Sequence, residues 1–383
     1  DPFDLKTYFY IGQYLRAYIT ATGSDAADTT FKSKKRIELS LDPRQANSGL
    51  SKSDLVEDAV IQASVVSVED HGLVMDLGLE DSSVRGFMSS KDIDPEVEYS
   101  SIREGSVFLC SIIGFNASRT VVKLSANLRT AASIKKHYLS SAPTINTYLP
   151  GTAAEILVTE VLETGIVGKI MGMLDATVDL VHSGANSGTI NLAKKFQPNT
   201  KIKGRLICTF PAAEPYKVGF SLLDHVQKMV AAPMGSDQAP SIAAIVEAKV
   251  VKVDPGLGLY VEIGSSKRLG FVHISRVSDG TVDSLSSTQG KFRVDTVHEA
   301  RIVGYNALDD LFLLSFEKSV ISQPFIRLED VTVGAVVKGT IEKLIIGPNG
   351  MDGIIVSLAD GITGLVPAMH FADAPLQNPE KKF

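Results

Sequence analysis

The sequence predicts an all-β protein built as a tandem array of small five-stranded barrels, and three recurrent marks in its 383 residues carry that prediction. A glycine opens an apolar strand in Gly72-Leu-Val-Met-Asp-Leu, Gly165-Ile-Val-Gly-Lys-Ile, Gly258-Leu-Tyr-Val-Glu-Ile and Gly353-Ile-Ile-Val-Ser-Leu, at intervals of 93, 93 and 95 residues. A second mark keeps step with the first: Arg85-Gly-Phe-Met-Ser, Val178-Asp-Leu-Val-His, Leu269-Gly-Phe-Val-His and Thr363-Gly-Leu-Val-Pro, whose second residue stands 11 to 14 residues after each glycine. A third closes each repeat in Ile37-Glu-Leu-Ser, Val122-Lys-Leu-Ser, Val218-Gly-Phe-Ser and Phe312-Leu-Leu-Ser. Internal periodicity of this length settles architecture before local detail does, because each copy must be one supersecondary unit.

These marks divide the chain in order. Residues 1–50 read as the C-terminal half of a first repeat, 57–128, 150–225 and 242–318 as whole repeats, and 331–383 as the N-terminal half of a further one. The expectation is therefore a piece cut from a longer array. Within the fourth repeat, Ile245 to Val253 is rich in β-branched residues, Asp254-Pro255-Gly256 is a turn, and Leu257 to Ile263 alternates. After a turn at Gly264 comes a third strand, Leu269 to Ile274; a polar crossing then leads to Val297–Tyr305 and Leu311–Phe316. Five short strands in about 75 residues, the first three joined as hairpins, fit a Greek-key barrel of OB type. An immunoglobulin-like sandwich, with about seven strands in ~100 residues, ranks second.

Strand alternation separates core from surface. Leu259, Val261 and Ile263 share one face; Gly258, Tyr260 and Glu262 share the other. Tyr260 should therefore point outward beside His273 of the next strand, with Lys267, Arg268 and Arg276 near the rim. Such a surface can stack bases and hold phosphates.

Composition excludes several classes. Hydrophobic residues make up 44% and charged residues 21%, and no apolar run approaches the ~18 residues of a membrane span, so a soluble protein without membrane partners is expected. Two cysteines, Cys110 and Cys208, fall in different repeats and make neither a disulfide framework nor a zinc site, as in a reducing compartment. The net charge is −6 and no repeat is a basic block, which argues against strong indiscriminate nucleic-acid binding; contacts must come from local patches.

The strings Gly258-Leu-Tyr-Val-Glu-Ile-Gly, Leu269-Gly-Phe-Val-His-Ile-Ser and Leu313-Leu-Ser resemble the S1 RNA-binding domain family, and the match recurs in succession along the chain. That resemblance implies an OB fold whose RNA surface carries two aromatic positions on the second strand and a histidine on the third. These fall on Leu257, Tyr260 and His273; the corresponding positions are His71, Val74 and Ser89 in the second repeat, Thr164, Val167 and His182 in the third, and Asp352, Ile355 and Pro367 in the fifth. The long, divergent array is similar to eukaryotic nucleolar rRNA-processing factors more than to bacterial ribosomal protein S1. It implies a nucleolar scaffold of early small- and large-subunit assembly, with pre-ribosomal RNA and other assembly factors as partners and no small-molecule substrate. Two alternatives are an RNA-binding arm of an RNA-processing enzyme and a translational or transcriptional S1-repeat factor.

Tyr260 and His273 are the leading RNA-contact candidates. His71 and His182 follow, against the plainer reading of each as a surface or packing histidine. Lys34, Lys35 and Arg36 belong to the densest basic run and are candidates for phosphate contact, as are Lys194, Lys195, Lys201, Lys203 and Arg205. Catalysis finds no foothold: no Cys/His metal spacing appears, and Gly256-Leu-Gly258 lacks the third glycine and following helix of a dinucleotide loop. Neither a cofactor nor a metal is expected.

Overall fold

The computed structural model describes residues 5, 8–23, 36–128, 138–139, 142–184, 191–232, 240–266, 268–347, 350–359 and 361–371. Residues 1–232 and 233–383 form two compact units. The described residues form mostly strands and three closed five-stranded barrels, as the repeat predicted.

The first unit opens with a hairpin of β1 (Tyr18–Gly23) and β2 (Arg36–Ser40). Its first barrel comprises β3 (Val60–Glu69), β4 (Gly72–Asp76), β5 (Arg85–Ser89), β6 (Val107–Phe115) and β7 (Val121–Ser125). The next comprises β8 (Ala153–Leu162), β9 (Gly165–Ile170), β10 (Leu174–Asp179), β11 (Lys201–Phe210) and β12 (Lys217–Ser221). In the second unit the barrel is β13 (Ile245–Asp254), β14 (Gly258–Ile263), β15 (Arg268–His273), β16 (Val297–Asn306) and β17 (Leu311–Ser315). A sheet of β18 (Thr340–Gly347), β19 (Gly350–Ala359) and β20 (Ile362–Pro367) follows.

Each barrel closes in the same way. The first strand pairs with the second and fourth, the third runs parallel to the fifth, and the order in the last barrel is β13-β14-β15-β17-β16. Register slips recur at matching places: Val65/Ser67, Val158/Glu160 and Val250/Lys252 on the first strand, and Ile112/Gly114, Leu206/Cys208 and Ile302/Gly304 on the fourth. An extra residue there bends and twists the strand enough to pair on both sides, which lets so small a sheet close. Inside the last barrel, Val250, Leu259, Val261, Val272, Ile302, Phe312 and Leu314 are buried, each contributing about 1.5–3 kcal/mol of apolar burial.

The short helices that follow β12 and β17, Asp224–Gln227 and Lys318–Ile321, are held to their barrels by buried arginines. Arg205 donates to Gly151 O at 2.6 Å and to Gln227 O at 2.7 Å; Arg301 donates to Ala243 O and Ile321 O, both at 3.0 Å. Arg205, expected within a phosphate-facing cluster, is therefore an internal clamp: it is 6% exposed, and burial pushes its pKa down. Its neighbours are engaged as well, Lys201 with Glu155 at 2.6 Å and Lys203 over the Tyr138 ring.

One end of the last barrel is capped by rings. His298 lies 5.1 Å from Phe292 and 5.2 Å from Phe316 between ring centroids, and its Nε2 is 2.9 Å from Thr296 Oγ1. Burial and, secondarily, the Lys291 ammonium hold the imidazole pKa below its usual value, against a raising contribution from a Lys291 backbone hydrogen bond. The unfolded chain takes up the proton first on acidification, so this site's contribution is present above about pH 6.5 and is lost as pH falls from there through the lower folded value. The thermal midpoint of this barrel should fall between about pH 7.5 and about pH 5.5, and His298→Phe should flatten that fall. An equal slope in the variant contradicts the assignment.

Candidate nucleic-acid interface

The outer face of β14 and β15 forms one aromatic surface. Tyr260 pairs with Phe271 across the two strands, with ring centroids 5.1 Å apart, and Phe271 meets His273 edge-on at 6.4 Å. Leu313 continues the row on β17 and is 39% exposed; Lys252 begins it on β13. Tyr260 and Phe271 are half-buried and His273 is exposed, so a base can reach the strip without unpacking the barrel.

The glycine that opens β14 makes this arrangement possible. A Cβ at Gly258 would lie 2.2 Å from Val272 O and 2.8 Å from Phe271 Cζ, so only a bare Cα lets the third strand and its ring approach. The same contact brings Phe87 against Gly72 in the first barrel, where a Cβ would meet the ring at 2.9 Å. Phe271 and Phe87 are functional candidates that sequence reasoning missed; their signal was the phenylalanine inside the second mark, read there only as a register anchor.

His273 is held by its own chain. Ser275 N donates to Nδ1 at 3.2 Å, and Ser275 Oγ lies 2.8 Å from the same atom. A ring whose Nδ1 accepts carries its neutral-state proton on Nε2, which leaves an outward N–H donor for a base edge or a phosphate oxygen.

The rim is less positive than its composition suggested. Arg268 pairs with Asp310 at 2.7 Å, and the same carboxylate oxygen accepts from Tyr305 OH at 2.7 Å. Arg276 lies 3.8 Å from Glu317. Lys267, Lys34 and Lys35 lie outside the described residues; Arg36 is the first residue of β2. His71 is exposed in the hairpin before β4, at the end of the first barrel's equivalent strip.

His182 requires a correction. Gly258 pairs with His273 and Gly72 with Ser89, but Gly165 pairs with Asp179, so Asp179 holds the histidine's place in the second closed barrel. His182 comes three residues later and matches Asp92 and Arg276: the residue after each closing serine donates its N–H to Asp92 O, His182 O and Arg276 O at 2.7, 2.7 and 2.8 Å. It is 4% exposed and its Nδ1 lies 2.9 Å from Ser221 Oγ, which removes it from the outer surface. A short β9–β10 turn at Met171 to Met173 displaced the apparent match of Val181-His182 to Val272-His273.

The outer rows of the remaining sheets diverge. The first barrel has Val74, Phe87 and Lys123; the second has Val167, Thr177 and Gly219; the last sheet has Ile355 beside Leu365. Among the described residues no group of histidine, cysteine and carboxylate side chains could hold a metal, and no helix is long and apolar enough to cross a membrane.

Comparison with known proteins places this repeated geometry. Residues 237–326, the aromatic barrel and its flanks, match the family model described as the RRP5 OB-fold domain. The chain is 39% identical over 386 aligned residues to the rRNA biogenesis protein rrp5 of Schizosaccharomyces pombe, covering 99% of this chain and 21% of that protein. The chain belongs to the RRP5 family. It is also 27% identical to the mouse RRP5 homolog and 26% identical to the human one, in each case over 100% of this chain and 20% and 19% of the relative. The chain thus spans about a fifth of the length of these RRP5 proteins.

Gly258→Ala tests the close approach directly. Forcing a methyl against Val272 O should destabilise this barrel by about 1–3 kcal/mol and displace the Phe271 ring. A wild-type midpoint with unchanged Phe271 ring resonances contradicts the reading.

Proposed function

We propose that this chain is a non-catalytic scaffold segment of early ribosome assembly, in which a minority of repeats contact pre-ribosomal RNA and the remaining faces contact neighbouring assembly factors. The single observation that carries the RNA part is the row Tyr260, Phe271 and His273 on the outside of one closed barrel. Every base has a π-face, so two rings and an imidazole serve single-stranded RNA without requiring one sequence. The relatives' names, rRNA biogenesis protein and RRP5 homolog, support placing that RNA within ribosome assembly and the protein in the nucleolus. Scaffolding is supported by the other faces, where Val74, Val167 and Ile355 stand at the tyrosine's place and Asp179 and Pro367 at the histidine's. Aliphatic groups there suit apolar contact with protein, and a carboxylate repels phosphate. Division into five repeats, the outer two incomplete, belongs to the same proposal.

Because Arg268 and Arg276 are ion-paired at the rim, stacking rather than counterion release should dominate affinity. In the full chain, Tyr260→Ala with His273→Ala should weaken binding of a single-stranded oligoribonucleotide by about 1–3 kcal/mol per lost stack, with little change in the thermal midpoint. Unaltered RNA affinity in the folded double variant overturns the RNA assignment. A fall in the midpoint instead assigns these side chains to packing.

A further inference from the structure

Residues 8–16, ahead of β1, reach several separate elements of the first unit. Tyr10 OH donates to Asp94 Oδ2 at 2.6 Å and Gln13 Nε2 to Val107 O at 3.0 Å, both in the first closed barrel. Tyr14 OH donates to Val230 O at 3.1 Å, beyond the helix that follows the second. Gly12, in a left-handed conformation with φ +96°, lies against Ala231 of the same segment. The chain therefore runs across both barrels.

Arg16 ends this run and is 5% exposed. Its guanidinium donates to Pro150 O at 2.9 Å, Asn47 Oδ1 at 2.7 Å and Val60 O at 2.8 Å, with Ala46 O at 3.4 Å. The backbone on either side is bracketed by buried Gln62, whose Oε1 accepts from Arg16 N at 2.7 Å and whose Nε2 donates to Arg16 O at 2.8 Å. Asn47 donates in turn to Gln62 O and Leu77 O. These bonds satisfy a buried cation with neutral oxygens drawn from the segment after β2, from β3 and from the linker before β8. A buried charge is tolerated only while such partners stay in place, so the elements that supply them must hold their positions together.

Arg16, Arg205 and Arg301 each reach the carbonyl six residues past a closing serine: Ala46, Gln227 and Ile321. Arg205 and Arg301 also bond just ahead of their own first strand, at Gly151 and Ala243, and Arg301 adds Gln323 O beyond its helix, so both stay within one repeat. Arg16 instead reaches Val60 and Pro150, in two later repeats. The barrel it enters has Ser111 at the place of Arg205 and Arg301, with a buried Oγ that has no hydrogen-bond partner among the described residues.

We propose that residues 8–16 form a strap, pinned by Arg16, that couples the barrels of residues 60–125 and 153–221 into one cooperative body and presents their outer faces at fixed spacing. A partner that meets both faces then meets a preset geometry instead of two tethered beads. This coupling is independent of which ligand each face binds.

Hydrogen exchange on the full chain tests it. Arg16→Lys keeps the charge but loses the fork, and should speed exchange at Gln62, at Gly151 and at Val230 by about tenfold or more, with strand amides such as Val122 and Val178 still protected. Tyr14→Phe should speed exchange around Val230 alone. Unchanged exchange at Gly151 and Val230 in Arg16→Lys overturns the proposal. If Arg16→Lys does not fold, Gln13→Ala carries the test: faster exchange at Val230 as well as at Val107 supports coupling, and a change confined to Val107 refutes it.

Discussion

The closed barrels of this array rest on how closely the third strand approaches the second where a glycine opens it. At Gly258 the facing carbonyl stands where any side chain would begin, and that contact sets the pairing of Gly258 with His273 and Tyr260 with Phe271. From the same register Leu259, Val261 and Val272 face inward and are fully buried. Shifting it by one residue would exchange core for surface along both strands. Core packing, barrel closure and the exposed aromatic row are therefore consequences of one steric requirement, which explains why the glycine is the most regular mark in the sequence.

The fold was legible because it depends on that periodic requirement. Strand limits in the repeat of Tyr260 were readable to within a residue or two, since β-branched runs there end at Gly/Asp turns or at one polar crossing. The site was only partly legible. Tyr260 and His273 could be assigned outward by alternation, but Phe271 was hidden inside the motif that defined the repeat, and its ring matters because a cross-strand partner 5.1 Å away makes a platform of what would be a lone tyrosine. His182 misled because two equivalent-looking Val-His pairs are offset by a turn-length difference, which pairing geometry reveals and linear matching does not. Charges were the least readable feature. Arg268, Arg276 and Arg205 are spent on Asp310, Glu317 and backbone carbonyls, partners distant in sequence by many residues.

The buried arginines show how one repeat chemistry serves two levels of organisation. Within a repeat, Arg205 and Arg301 tie the chain after the last strand to the chain before the first, closing the barrel's ends much as strand pairing closes its wall. Between repeats, Arg16 uses the same kind of carbonyl cradle on a larger span. An array built this way can let its outer faces diverge, because stability is held in the core and at the seams. The change from Tyr260, Phe271 and His273 in one barrel to Val167, Thr177 and Asp179 in another leaves the strand pairing the same and changes what each face can contact.

Site-specific photocrosslinking within pre-ribosomal particles tests that division of labour most directly, with the crosslinker placed in turn at positions 74, 167, 260 and 355 of the full-length protein. The account predicts RNA adducts predominantly from position 260 and protein adducts from positions 74, 167 and 355. Adducts dominated by RNA at positions 74, 167 and 355, or by protein at position 260, would contradict it.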